Sequence, residues 1–304
     1  MTDLVLAGVM PPIPTPTLSD GALNRPMLEK LVARLLEVGV TGIIPIGSVG
    51  EYAGLAMAER VKVVEATVEA VGGRVPVIAG VVSPSFHDAV DAGRALRAAG
   101  ADALLVLPAH YHNPPQAGIR AYFDAYRNAV DAPVLLYDAP YNTHLVVEPD
   151  TIAQMAEDGS IVGLKASNTD IDHFNRVMGL IPEGFPVLSG ESTHFPIHVA
   201  MGASGATPGN TCLMPEYFIH IYELARQGRL KEALAAQRKL FPLMSALSSR
   251  GYFGSFKQSM QLIGIDAGVP RLPLMDADES AFEPIRRAFE ALRQDLRQSG
   301  VRVA

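Results

Sequence analysis

Residues 161–167 read IVGLKAS, and the lysine in that stretch is the first group in the chain with a case for covalent chemistry. Ile161, Val162 and Leu164 predict a buried strand, and Lys165 closes it. Burial disfavours the ammonium form. An unperturbed lysine is neutral about once in 2,500 molecules at pH 7, whereas a pKa of about 7 would leave roughly half of it neutral. A neutral amine at a strand end attacks a carbonyl and forms a Schiff base. The competing reading is a structural lysine, ion-paired with a nearby strand-end acid such as Asp138. The chain has six lysines, and Lys165 alone ends an apolar strand; the others fall in predicted helices or in the tail.

Two more strand ends carry useful groups. GSVGE (47–51) sets glycines on either side of Ser48 and Val49. Backbone N–H groups in such a turn can hold a carboxylate or phosphate, although an ordinary strand-to-helix turn has the same composition. PVLLYD (133–138) ends in Tyr137, either a proton shuttle or a packed amphipathic side chain. Other candidates are weaker. His110 and His112 have no nearby third metal ligand, and HFPIH (194–198) has Pro196 between its histidines and no Glu after His194. No metal is expected. Cys212 reads as a small buried hydrophobe.

These groups need a frame. Short runs rich in Val, Ile and Leu alternate with longer amphipathic stretches, the pattern of buried parallel strands and helices. Strands are predicted over 8–14, 42–47, 76–81, 103–108, 133–138, 161–165, 185–190 and 202–209. Helices are predicted over 25–38, 56–71, 86–99, 116–130, 149–157, 170–180 and 192–201. In the first, Asn24 is placed to cap, Leu28, Leu31, Val32, Leu35 and Leu36 form one stripe, and Gly39 stops it. Eight strands alternating with helices predict an α/β fold, a (β/α)8 TIM barrel over residues 1–225. Residues 226–304 read as a C-terminal helical extension, with 265–278 a loop. A doubly wound open sheet is the alternative. It is weakened by the lack of GxGxxG after the first strand and of GxxxxGK[ST] anywhere. In a barrel, chemistry belongs where strands end, which is where Lys165, Tyr137 and GSVGE fall.

Composition narrows the class further. The 304 residues carry a net charge of −7 without a run of Lys or Arg, so nucleic acid is not an expected partner. The start, MTDLVLAGVMPPIP, does not read as a signal peptide, and no apolar run predicts a membrane span. One cysteine suits a reducing cytoplasm.

In order and spacing, GSVGE, YDAP (137–140) and GLKAS (163–167) resemble the dihydrodipicolinate synthase / N-acetylneuraminate lyase family. These are class I pyruvate-type aldolases and lyases on a (β/α)8 barrel with a helical tail. The resemblance spans nearly the whole chain, including GASGATPGN (202–210). It implies that Lys165 forms the Schiff base with a 2-oxo acid and that Tyr137 relays protons. It further implies that Ser48 links Tyr137 to Tyr111, which is lent to a neighbouring subunit. The N–H groups of Ser48 and Val49 would cradle the substrate carboxylate, and Gly190, Glu191 and Thr207 would line the pocket. No cofactor and a homotetramer built from dimers are implied as well.

The departures bear on substrate. Val49 stands where a second hydroxyl residue is common. Asn142 stands near the place of the arginine that clamps a carboxylate in synthases acting on aspartate semialdehyde. Ser192 and Thr193 stand where sialic acid lyases have an acidic pair. The expectation is cleavage of a 2-keto-3-deoxy sugar acid to pyruvate and an aldehyde. Dehydration or deamination through the same imine, dihydrodipicolinate synthase-like condensation, and a non-enzymatic keto-acid sensor are the alternatives.

Overall fold

Seven short parallel strands form one curled sheet in the computed structural model, which describes residues 4–249 and 251–300. They are β1 (Gly8–Val9), β2 (Ile78–Val81), β3 (Ala103–Val106), β4 (Val134–Asp138), β5 (Gly163–Ala166), β6 (Val187–Ser189) and β7 (Gly205–Ala206). Their order is β1-β7-β6-β5-β4-β3-β2. The eighth predicted strand, 42–47, closes the ring through isolated parallel bridges. Ile44 pairs with Pro12 after β1, and Ile43 pairs with Val77 before β2. The Ile44 N–H donates to the Pro11 carbonyl at 3.0 Å, and the Ile78 N–H to that of Ile43 at 2.9 Å. The predicted strands 8–14 and 42–47 shrink because Pro11, Pro12, Pro14 and Pro45 have no N–H to give a ladder. The sheet is therefore a barrel, as the alternation of the sequence predicts.

Among the described residues, twelve helices surround it. Beside the barrel run α1 (Arg25–Val38), α2 (Met57–Val71), α3 (Phe86–Ala98), α4 (Gln116–Ala129), the single turn α5 (Pro140–Thr143), α6 (Pro149–Glu157), α7 (Ile171–Leu180), α8 (Phe195–Ala200) and α9 (Pro215–Arg226). The tail adds α10 (Leu230–Ser248), α11 (Tyr252–Ser259) and α12 (Phe282–Gln298). The chain breaks between α9 and α10 at Gly228, whose φ of 76° is left-handed. Gly39 ends α1 in the same way at φ 92°, but Asn24 makes no side-chain cap bond. None of the described helices is long and apolar enough to cross a membrane.

Strand pleat decides what faces the barrel interior. Leu105, Leu135, Tyr137, Ile78 and Leu188 belong to one buried cluster that fills the barrel, while Leu104, Leu136 and Leu164 pack outward under the helices. Tyr137 is in register with Lys165, and Leu135 with Gly163. Residues in register share a face, so Lys165 points inward beside Tyr137, at the C-terminal ends of the strands. Asp138 is in register with Ala166 and lies on the other face. It is not the ion-pair partner of Lys165 that strand-end proximity suggests.

Candidate active site

The mouth of the barrel holds a cavity of about 350 Å3. Ser48, Val49, Tyr137, Lys165, Gly190 and Glu191 all line it, as do Asn142, Ser192 and Thr193. Lys165 is 5% exposed, and its Nζ sits 4.3 Å from the centre of the Tyr137 ring. Burial pulls its pKa down to about 8, and the Glu191 carboxylate pulls back upward. Burial raises the Glu191 pKa, and Lys165 opposes that. Gly190 has a steric reason. A Cβ there would collide with the Ser167 Oγ and come within 3.2 Å of the Lys165 Cε, so only glycine leaves the amine its channel.

Tyr137 is buried, and burial moves its pKa well above the usual phenol range. Its hydroxyl lies 3.2 Å from that of Tyr141, either one donating. The two residues stand four apart, across the turn α5 that follows β4, and Pro140 at the start of that turn helps to set its backbone. The expected link from Tyr137 to Ser48 is not the one formed: Ser48 lines the cavity, but the hydroxyl partner of Tyr137 is Tyr141.

The GSVGE turn is held by strained backbone. Ile46 and Glu51 both have positive φ, 47° and 59°. A Cβ on Gly50 would lie 2.6 Å from the Ile46 nitrogen, so the turn closes only around glycine. The Thr15 hydroxyl donates to the Gly50 carbonyl at 2.8 Å. Among the described residues, neither the Ser48 nor the Val49 N–H donates to a backbone carbonyl. Both remain available to a ligand anion. Glu51 is tied to the tail: Lys257 pairs with it at 2.7 Å with both side chains 2% exposed, and the Arg271 N–H donates to its Oε2 at 2.6 Å. Lys257 is a second buried lysine. Its helical surroundings in the sequence hid it.

Three expected residues stand apart. Tyr111 is 82% exposed with φ 87°, stacked edge-on against His112, and does not line the cavity of its own chain. Thr207 is fully buried and lies outside the cavity lining. His110 lines a neighbouring cavity of about 280 Å3 that shares Ser48, Tyr137 and Asn142 with the first. The paired histidines of HFPIH are structural on the His198 side: its ring stacks on Phe174 at 3.7 Å, and its Nδ1 bonds the Ser189 hydroxyl at 2.8 Å. Cys212 is buried, its pKa pushed up to about 12 by burial.

The site also contains residues that the sequence left unmarked. Met244, Ser248, Tyr252 and Phe253 come from the tail and roof the cavity. Tyr141 comes from the turn α5 after β4, and Asn210 from the loop after β7. A hydroxyl four residues after Tyr137 was a usable signal for Tyr141. Nothing local marked the tail residues.

A buried amine beside a phenol, at the mouth of a parallel barrel, is a Schiff-base arrangement. The family model of the dihydrodipicolinate synthetase family matches residues 5–292. The chain belongs to this family. It is an enzyme of the class I aldolase and lyase type. The 4-hydroxy-tetrahydrodipicolinate synthase of Methanopyrus kandleri is 36% identical over 290 residues, covering 94% of this chain and 96% of the relative. That of Hyphomonas neptunium is 34% identical over 284 residues, covering 93% and 97%. Among solved structures, Thermotoga maritima dihydrodipicolinate synthase superposes with a TM-score of 0.88 at 30% identity, covering 97% of this chain and 99% of that one. The pyruvate complex of the Acinetobacter baumannii enzyme gives 0.88 at 27% identity, covering 98% and 100%.

Proposed function

We propose that this family member is a cofactor-free lyase that cleaves a 2-keto-3-deoxy sugar acid into pyruvate and an aldehyde. The observation that carries it is the Lys165 amine, buried and held down to a pKa of about 8, beside a neutral Tyr137 in a cavity lined by hydroxyls, Asn142 and Glu191. Neutral Lys165 attacks the C2 carbonyl, and loss of water gives an iminium. The N–H groups of Ser48 and Val49 hold the carboxylate. Tyr137 takes the C4 hydroxyl proton as the C3–C4 bond breaks. Its electrons enter the iminium as an enamine, and C4 leaves as the aldehyde. A proton returns to C3, and water hydrolyses the imine to free pyruvate and Lys165.

The substrate reading rests on charge. Among the described residues, no arginine lines the cavity that holds Lys165, and Glu191 places a carboxylate there. That carboxylate repels a second anionic group on the substrate and accepts hydrogen bonds from its hydroxyls. The barrel of residues 1–225 carries the chemistry and the extension 226–304 its roof. The reading includes a cytoplasmic homotetramer built from dimers, whose contacts would cover the exposed Tyr111, Leu272 and Met275.

The relatives' shared name favours a second reading, condensation of pyruvate with aspartate semialdehyde. Borohydride reduction with pyruvate, followed by peptide mass spectrometry, tests what both have in common: a reduced pyruvyl adduct on Lys165, absent in Lys165→Ala. Product analysis separates the two, since only aldol cleavage releases an aldehyde from a 2-keto-3-deoxy acid. An unmodified wild-type protein would sink both.

A further inference from the structure

A carboxylate that leaves water beside Lys165 must find new hydrogen bonds, because an ionised group with bare lone pairs is costly to bury. It accepts up to about four. The N–H groups of Ser48 and Val49 are free to supply two. The Val49 side chain lines the cavity and offers none. One further donor faces the same wall. Tyr252 of α11 lines the cavity too. A Cβ on Gly209 would lie 2.8 Å from the Tyr252 Oη and 3.4 Å from the Val49 Cγ2, so the phenol oxygen and the valine methyl flank one spot. Among the described residues, no protein group hydrogen-bonds that hydroxyl. Burial moves its pKa upward, which keeps it a donor.

The ring is fixed in place. It stacks on Phe256 with centroids 5.6 Å apart and meets Phe253 edge-on at 5.5 Å. Its helix is tied to the GSVGE turn, since Lys257 pairs with Glu51 at the end of that turn. One ion pair therefore sets the phenol relative to the two N–H groups. We propose that Tyr252 binds the substrate carboxylate, its hydroxyl donating the hydrogen bond that the Val49 side chain cannot. The anion is then held jointly by the barrel turn and the tail. A neutral donor does this without placing a like charge beside the iminium that forms at Lys165. The inference deepens the Schiff-base reading and rests on it.

The probe is pyruvate, which presents a carboxylate, one carbonyl and a methyl group. The carbonyl oxygen departs as water when the imine forms, so a donor to it acts on the trapping rate at saturation. A donor to the carboxylate acts on the concentration needed to saturate. Borohydride trapping at Lys165 across pyruvate concentrations, read by peptide mass spectrometry, separates the two. Tyr252→Phe keeps the ring and loses the hydroxyl. It is expected to raise the half-saturating pyruvate concentration about tenfold, the size of one hydrogen bond to a charged group, with the maximal rate within about twofold of wild type. That maximal rate shows that the variant is folded and reactive. With methyl pyruvate, which carries no charge, the loss is expected to stay below about threefold. An unchanged half-saturation, a fall confined to the maximal rate, or equal losses for acid and ester would overturn the proposal. So would a loss with a 2-keto-3-deoxy acid but none with pyruvate, which would put the hydroxyl on the aldehyde half. Absence of any wild-type adduct would instead overturn the Schiff-base reading, and this one with it.

Discussion

Lys165 is costly to the fold and useful to the site, and both follow from one burial. Its folded pKa of about 8 lies below the ordinary 10.5. Between those values an unfolded chain holds a proton that the folded chain does not, so stability rises with pH across that window. Below about 8 both states are protonated and the penalty is complete, roughly 3 kcal/mol at 1.36 kcal/mol per pKa unit. Lys165→Met should therefore be inactive and more stable at pH 7, by about 1–3 kcal/mol after allowance for packing; urea unfolding measures it. A variant less stable than wild type would contradict that account. The same shift sets the pH dependence of chemistry. Trapping by pyruvate should rise with pH through about 8, as the free amine appears. Because Glu191 holds the lysine pKa up, Glu191→Gln should move that acid limb to lower pH. A limb that stays put would remove Glu191 from the electrostatics of the amine.

At the scale of elements, the site depends on a loop and a tail gripping each other. The strained GSVGE turn ends in Glu51, and its carboxylate is neutralised by Lys257 from α11 and bonded by the Arg271 N–H. A buried pair of this kind contributes little net stability, yet breaking it leaves an uncompensated charge. Lys257→Met should lower stability by about 3–5 kcal/mol. Adding Glu51→Gln should recover most of that, since the glutamine keeps an acceptor for Arg271. Chemical denaturation of the single and double variants decides it; equal losses in both would show that packing, not charge, is what Lys257 supplies. Burial lowers the pKa of Lys257 too, against the upward pull of Glu51, but its amine is engaged by Glu51 and the Val269 carbonyl and faces no substrate cavity. Partnering, rather than burial, separates the structural lysine from the reactive one.

For the whole molecule, the decisive property is which large side chains a single chain leaves in water. Tyr111, Leu272 and Met275 are all more than two-thirds exposed in one chain, at 82%, 81% and 72%. Apolar groups of that size in water favour burial against another copy. Light scattering at working concentration should give a tetramer. Tyr111→Asp should weaken the assembly while leaving pyruvate trapping at Lys165 intact. A wild-type monomer would detach these residues from subunit contact, and loss of trapping in the dissociated variant would mean that the neighbour completes the site.

What the sequence determined by itself was local and periodic. Alternating apolar runs specified a parallel barrel, because the same period that buries a strand on both faces requires helices around it. The strand-end rule then singled out Lys165, Tyr137 and GSVGE, since in a barrel those ends converge on one mouth. Tertiary structure alone decided which groups meet there. The pleat turned Tyr137 toward Lys165 and Asp138 away from it, a difference of one residue that no local pattern reveals. The turn of α5 brought Tyr141 onto Tyr137, where Ser48 had been expected. Tyr252 and Phe253 reach the cavity from more than eighty residues beyond Lys165, because the tail folds back over the mouth. Contacts of that sequence separation depend on how helices dock, and docking is a property of the packed molecule rather than of any segment.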